Sequence, residues 1–511
     1  MTERTKLMKQ SIQFGDFQTP THLCRDICNF LKSEGMQPQS VVEPNCGVGN
    51  FVLACMEIFQ SAKRILALDI NSEHLQKLKK RIPDLSQCNL ELNSMDFFNV
   101  DWASVLASLP QPLLVIGNPP WVTNSQIGAL NGTNLPIKSN LHGHNGIDSL
   151  TGKSNFDISE WMLIQLCEHL HSYDGSLAML CKTSVARKVL KHIWRNQLHF
   201  RDVSMRRIDA ENHFGVSVEA CLLVCRTGLP PTMKQCPVYQ GLSTKEKTSA
   251  VGMFNSELVA DIEKYTKWSF LDGVERYKWR SGVKHDCAKV MELILHSGKL
   301  MNGMGEFCDL ESDFLYPLFK SSDIAQNHVA EPKRWVLITQ RDVREDTVLI
   351  KQQAPKTWEY LVSHNNYFKR RKSSVYRGRP PFSIFGIGGY AFSPWKVSIS
   401  GLYKKIRFCV LGPHDGKPVM LDDTCYFVSC DTQDEAVLIA DLLNSKPAKE
   451  FLSSLIFWDS KRPITIDILR RIDLLSLARE SGKSGDLHHY LDSTLFDQIS
   501  TSSLLCGSRQ K

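Results

Sequence analysis

No stretch of the 511-residue chain stays apolar for the ~18 residues that cross a bilayer, so no membrane-spanning helix is expected. The first ten residues, from Met1 to Gln10, lack the apolar core of a signal peptide, so export by that route is not expected and a cytoplasmic location is. The 16 cysteines include no C-x-x-C pair; Cys24/Cys28 and Cys221/Cys225 are spaced one residue wider. The usual spacing of a zinc site or a redox motif is therefore missing. The thiols read as reduced and mostly buried, and no metal is expected. Internal repeats are absent too. Neither sign of charge dominates: 61 Lys+Arg against 54 Asp+Glu leaves a net +7, whose distribution matters more than its sum. With 42% hydrophobic and 23% charged residues the composition is that of a globular protein and excludes wholesale disorder.

What is present is a rhythm. Short β-rich runs at 40–43, 64–70, 90–95, 113–117, 176–181, 203–208 and 220–226 alternate with longer helical stretches. Helices at 51–60, 72–81 and 158–170 give the first five runs room for βαβ crossovers, which argues for a mainly parallel, doubly wound α/β sheet. The link 212–217 between the last two runs is too short for a crossover helix, so these two are expected to pair as an antiparallel hairpin at one edge. After Thr227 the texture changes. Gly228-Leu-Pro-Pro-Thr232 and the polar stretch 241–250 read as an interdomain connection. The boundaries that follow are 1–232 for a first domain, 250–480 for a second of mixed α+β structure, and 481–511 for a Ser/Gly-rich tail expected to fray.

In doubly wound sheets ligands sit beyond the carboxyl ends of the strands. The first run ends Glu43-Pro-Asn-Cys-Gly-Val-Gly-Asn-Phe51, where Gly47 and Gly49 permit a tight turn and close approach of a ligand to backbone. The third glycine of a nucleotide fingerprint is Val52 here, so the G-x-G alone also reads as a plain turn. The second run ends at Asp69-Ile70, about twenty residues on. Asp69 suits a ribose diol, or equally a helix cap. The third ends Asp96-Phe97-Phe98, which offers an acceptor and an aromatic face, or ordinary core packing. The fourth ends Asn118-Pro-Pro-Trp121, the strongest signal in the chain. Its two prolines fix φ and remove two amide donors. Asn118 Oδ1 and the Pro119 carbonyl are then acceptors, beside Trp121 as a flat surface. That set suits a planar ring carrying an exocyclic NH₂.

The pairing of Glu43-Pro-Asn-Cys-Gly-Val-Gly-Asn-Phe51 with Asn118-Pro-Pro-Trp121 resembles the motifs of S-adenosylmethionine-dependent amino-methyltransferases acting on DNA. Upstream, Gln13-Phe-Gly-Asp-Phe-Gln-Thr-Pro20 resembles the segment that these enzymes fold over the methionine part of the cofactor. The order of segments is that of the gamma arrangement, common among adenine-N6 methyltransferases of type II restriction–modification systems. The resemblance covers about the first 230 residues. It implies S-adenosyl-L-methionine as cofactor, held by Phe17, Thr19, Pro20, Glu43, Cys46 (through backbone only), Gly47, Gly49, Asp69, Ile70, Asp96 and Phe97. It implies a catalytic corner of Asn118, Pro119, Pro120 and Trp121, and a flipped-out adenine with Phe214 as a second ring, although Phe214 equally suits a buried hairpin. The Gly/Asn/Ser-rich stretch 123–154 is long for a compact domain and reads as a lid or a surface insertion. Asp157 after it reads as a pocket wall or a helix cap. Cytosine C5 methylation, which needs a Cys nucleophile typically following Pro, is excluded because none of the 22 prolines precedes a Cys.

From residue 351 to 408 there are twelve Lys/Arg against one acidic residue, Glu359, so the rest of the chain is net negative. Aromatics run through this segment. A basic, aromatic stretch beside a base-methylating domain reads as a double-stranded DNA contact made by Lys369, Arg370, Arg371, Lys372, Arg377, Arg379, Lys404 and Lys405. Phe382-Ser-Ile-Phe-Gly-Ile-Gly-Gly-Tyr390, 395–401 and, more weakly, 279–284 resemble segments of target-recognition domains. Only twelve residues precede Gln13, leaving no room there for a fused nuclease, so a separate cognate endonuclease and a monomeric methyltransferase are expected. N4-cytosine methylation uses the same corner, and a non-catalytic DNA-binding specificity subunit keeps the same domains. Protein or RNA methylation leaves about 280 further residues unexplained.

Overall fold

The computed structural model describes residues 18–82, 88–122, 157–230 and 233–491. Phe17 and the residues before it, the stretch 123–156 and the tail beyond 491 lie outside these. The chain divides into two compact units at Glu263/Lys264. No helix among the described residues is long and apolar enough to cross a membrane. The described cysteines are all free and, Cys88 and Cys308 apart, buried, in line with a reduced chain.

The first unit is built on a ten-stranded sheet. Its parallel part comprises β1 (Ser40–Glu43), β2 (Arg64–Asp69), β3 (Asn89–Ser94), β4 (Leu113–Gly117) and β5 (Gly175–Lys182). Then come β6 (Phe200–Ile208), β7 (Ala220–Thr227), β8 (Gln235–Tyr239), β9 (Lys247–Phe254) and β10 (Glu257–Val259). In space the order is β10-β9-β8-β6-β7-β5-β4-β1-β2-β3. β1, β4 and most of β5 are buried along their whole length. Such near-continuous apolar runs are what a sheet covered on both faces requires. Helices Asn50–Ile58, Ser72–Lys79 and Ile158–Leu170 fall where the crossovers are expected.

The expected edge hairpin is corrected in position. β6 and β7 do pair antiparallel, but β7 lies against β5 and β6 passes the sheet on to β8, β9 and β10. Their link also holds a five-residue helix, Ala210–Phe214, capped at its start by Asp209 and closed by Gly215 in the left-handed conformation. β8 lies between the two stretches read as an interdomain connection and β9 begins inside the second, so the first unit runs past 232 to Glu263.

Chain order reverses between β1 and β4. From β1 the chain moves outward to β2 and β3, then returns to place β4 on the other side of β1, with Val42 level with Val115. This is the topological switch point at which doubly wound sheets open a crevice. The loops after β1 and β4 flank it.

The second unit holds a six-stranded sheet around β11 (Glu292–His296), β12 (Leu315–Phe319) and β13 (Arg334–Leu337), and a four-stranded sheet around β14 (Trp395–Ser400) and β15 (Cys425–Cys430). Helices such as Gln433–Asn444 complete a mixed α+β architecture. The segments 279–284 and 382–390 meet within it: Lys284 and Phe385 exchange backbone hydrogen bonds of 2.8 and 2.9 Å. A Cβ on Gly282 would lie 2.1 Å from the Asp422 carbonyl oxygen, so only glycine admits this approach.

Candidate active site and basic surface

The loop after β1 is held from both sides. Cys46 donates its amide to the Leu68 carbonyl (2.8 Å) and Gly49 donates to Cys46 (2.8 Å). Gly47 and Gly49 have φ of +52° and +80°. Added Cβ atoms would strike the Gln18 amide at 2.4 Å and Leu78 Cδ1 at 2.2 Å. Thr19 is buried and its carbonyl accepts from Asn50 Nδ2 at 2.7 Å, while Gln18 Oε1 accepts from the Val48 amide at 3.1 Å. Residues 18–20 thus lie across the glycine loop, with Pro20 starting the helix Thr21–Ser33. Arg81 closes the far side through the Val48 carbonyl (2.7 Å) and Asn50 Oδ1 (2.9 Å). Gln18, Asn50 and Arg81 had not been singled out. Gln18 and Asn50 lie within the quoted motif segments and are legible on that ground, whereas Arg81 is not.

Three acidic residues stand at or just beyond consecutive strand ends. Glu43, 3% exposed, accepts from the Val52 amide at 3.0 Å, and burial pushes its carboxyl well above the usual range. Asp69 accepts from the Gly47 amide at 2.7 Å through Oδ2 and from the Asn71 amide at 2.8 Å through Oδ1, so it braces the loop from β2. The helix cap itself is Asn71. Ile70 beside it is 52% exposed. Asp96 is half-buried and accepts from the Phe98 amide at 3.1 Å. The Phe97 ring is buried, 4.9 Å from that of Trp102. The Cys46 thiol is buried and pushed far up by burial, which leaves its backbone as the useful part.

Across the switch point, Asn118 is half-buried, Pro119 and Trp121 are buried, and the Trp121 ring meets Phe214 edge to face at 5.2 Å. Two aromatics 93 positions apart in sequence therefore form one wall, with Phe214 half-buried on its short helix.

This donor and acceptor set fits a cationic nucleoside cofactor. Glu43, Asp69 and Asp96 supply acceptors and negative charge. Asn45 Oδ1 is buried in the same loop without a hydrogen-bond partner among the described residues. Positive φ at Gly47 and Gly49 bares backbone to the crevice. Such a loop at the switch point, facing a proline-fixed corner, defines an S-adenosylmethionine-dependent methyltransferase.

The particular family follows from comparison with known proteins. The chain is 44% identical over 472 residues to the type II methyltransferase M.NspV of a Nostoc species, covering 92% of this chain and 98% of that protein. It belongs to the type II methyltransferases, the modification enzymes of restriction–modification systems, and its methyl donor is S-adenosyl-L-methionine. No protein-family model matches the chain. Among solved structures it is similar to the type IIL restriction–modification enzyme MmeI in complex with DNA, at 14% identity and a TM-score of 0.49, over 91% of this chain and 66% of that one. It is also similar to a type I restriction–modification methyltransferase subunit from Streptococcus thermophilus, at 13% identity and a TM-score of 0.29, over 43% and 47% of the two chains.

In the second unit the basic segment divides. Lys369, Arg370, Lys372, Arg377, Arg379, Lys404 and Lys405 are exposed. Arg371 is not of that set. Its guanidinium donates to the Ser383 carbonyl at 2.6 Å and the His285 carbonyl at 3.3 Å, and lies 3.7 Å from the centre of the Tyr376 ring. It braces the unit instead of facing a phosphate. The interleaved aromatics are likewise mostly core: Phe382 packs on Trp358 at 5.5 Å and on Phe368 at 4.9 Å. Tyr367 and Tyr403 remain exposed.

Two outcomes follow. Arg371→Met should destabilise the protein by roughly 2–3 kcal/mol, the worth of charge-assisted bonds to carbonyls, while Arg370→Met leaves the melting temperature unchanged. Equal melting temperatures would contradict the bracing role. For Glu43, a folded-state pKa raised by burial means stability that is full below the unfolded value near 4.3 and is lost as pH rises through the folded value. Glu43→Gln keeps an acceptor for Val52 and removes the charge. Its cofactor-free melting temperature should exceed wild type at pH 8, with the gap closing towards pH 4.5; a gap independent of pH would refute the assignment.

Proposed function

We propose that the chain transfers a methyl group from S-adenosylmethionine to the N6 amino group of an adenine flipped out of duplex DNA, at a specific site that is thereby protected from a separate endonuclease. One observation carries this reading: the Asn118–Trp121 corner flanks the switch point opposite the glycine loop, with Phe214 brought against Trp121.

When bound, the cofactor supplies an electrophilic methyl group on a sulfonium centre. Thr19, Glu43, Asn45, Asp69 and Asp96 would hold it by charge and hydrogen bonding, Gly47 and Gly49 by bare backbone, and Pro20 and Ile70 by apolar contact. The adenine amino nitrogen is a poor nucleophile because its lone pair is delocalised into the ring. Asn118 Oδ1 and the Pro119 carbonyl accept its two hydrogens and bias the nitrogen towards a tetrahedral shape. They also stabilise the positive charge that develops there. Pro119 and Pro120 have no N–H to spend on these acceptors. Trp121 and Phe214 meet edge to face in the protein alone, and the base enters by parting them. Stacking contributes about 1–3 kcal/mol against an extrusion cost of a few kcal/mol. The exposed cations Lys369, Arg370, Lys372, Arg377, Arg379, Lys404 and Lys405 contact phosphates, which adds affinity without sequence information.

Incubation of the purified protein with unmethylated duplex DNA and labelled S-adenosylmethionine, followed by digestion to nucleosides, should yield N6-methyladenine. N4-methylcytosine, or label in protein or RNA alone, would overturn the assignment; DNA binding without label would indicate a non-catalytic specificity subunit. Asn118→Ala should lower turnover by at least about 10²–10³-fold while cofactor binding persists, as for other donors or acceptors aimed at developing charge.

A further inference from the structure

The chain re-enters the described structure at Asp157, beside the corner it left at Trp121 and Val122. The Ile158 amide donates to the Val122 carbonyl at 3.0 Å. Asp157, 8% exposed, caps the helix Ile158–Leu170 with one oxygen: Oδ1 accepts from the Ser159 amide at 3.2 Å and its hydroxyl at 2.5 Å. The other oxygen, Oδ2, accepts from Lys182 Nζ at 2.6 Å. The same ammonium donates to the Trp121 carbonyl at 3.1 Å.

Lys182 is the last residue of β5. Met179 is level with Gly117, the end of β4, so three further residues carry Lys182 above the strand end, beside the corner. It follows an unbroken buried run, Leu177 to Cys181. A cation is an unusual choice there unless partners are provided.

We propose that Lys182 and Asp157 are a positioning pair that holds the Asn118–Trp121 corner in the shape required for transfer, an inference that rests on the proposed reading of that corner. The prolines fix φ at 119 and 120, so the freedom left to the corner is in ψ at those residues and in φ and ψ at Trp121. A donor on the Trp121 carbonyl restrains the peptide that follows, and with it the ring facing Phe214 and the acceptors just before it. An ammonium alone at this end of the sheet would oppose the positive charge developing on the target nitrogen. Asp157 cancels its field at a distance and is itself fixed by Ser159. The pair thus restrains the corner without disfavouring the transition state.

The test measures kcat and KM with unmethylated duplex DNA and labelled S-adenosylmethionine, S-adenosylhomocysteine affinity by calorimetry, and melting temperature. The proteins compared are wild type, Lys182→Met, Lys182→Arg, Asp157→Asn and the Lys182→Met/Asp157→Asn double variant. Lys182→Met should lower kcat by about tenfold or more with S-adenosylhomocysteine affinity within about twofold of wild type. Lys182→Arg, which keeps two donors, should recover most of that loss. Asp157→Asn should also lower kcat, and the double variant should be no slower than Lys182→Met, because the two side chains act as a unit. Wild-type kcat in Lys182→Met would overturn the positioning role while leaving the proposed function intact. So would a loss that Arg does not rescue and that follows the melting temperature, or a double variant whose losses multiply. A wild-type protein that methylates no duplex DNA would instead remove the functional reading, and this inference with it.

Discussion

The site depends on the parallel pairing of β1 with β4. That contact, in register from Ser40/Leu113 to Val42/Val115, is between strands 73 residues apart in sequence. It exists because the chain winds outward through β2 and β3 before it returns. Both strands are fully buried, so their register is fixed by apolar side chains on two faces instead of one. A slip by one residue would turn the side chains of one strand to the opposite face of the sheet. The other features of the site stand on neighbouring elements: Asp69 at the end of β2, Asp96 just after β3, Lys182 at the end of β5 and Phe214 on the short helix between β6 and β7.

Around this crevice the polar groups are arranged for a ligand more than for the protein's own stability. Glu43 is buried with its carboxyl pushed up, and Asn45 Oδ1 is buried without a partner among the described residues. Both cost stability in the chain alone. The surrounding core offsets them, since Phe51, Leu78, Ile116 and Trp121 belong to one apolar cluster of the first unit. In the proposed reading a cationic cofactor against Glu43 would reverse part of that cost on binding and so couple cofactor affinity to the same carboxylate.

Much of this was legible in the amino-acid order, and the failures have physical reasons. The parallel strands and their crossover helices could be read because buried runs such as Leu113–Gly117 are continuous and punctuated by Gly, Pro and Asn. β8 falls between the two stretches that read as an interdomain connection, and β9 begins inside the second of them. The two strands carry Pro237 and a polar, Lys-rich approach, and only alternate residues of β8 are buried. Edge-side strands of that kind leave a weak apolar signature. Arg371 was indistinguishable from Arg370 within a run of four cations, because what separates them lies elsewhere in the chain, at His285, Tyr376 and Ser383. The link of Lys182 to Asp157 and the Trp121 carbonyl was invisible for the same reason, although a single lysine ending an apolar strand was a usable signal. Phe214 was reached only through the family resemblance, since nothing local separates a pocket aromatic from a hairpin one.

In the proposed reading, the proline-fixed corner grips an extruded amino group. A crystal structure of the protein with duplex DNA containing its site and S-adenosylhomocysteine tests it most directly. An adenine out of the helix is expected, its N6 about 3 Å from both Asn118 Oδ1 and the Pro119 carbonyl oxygen, with its ring against Trp121 and Phe214. A target base still stacked in the duplex, or an extruded base whose amino group faces other residues, would contradict it.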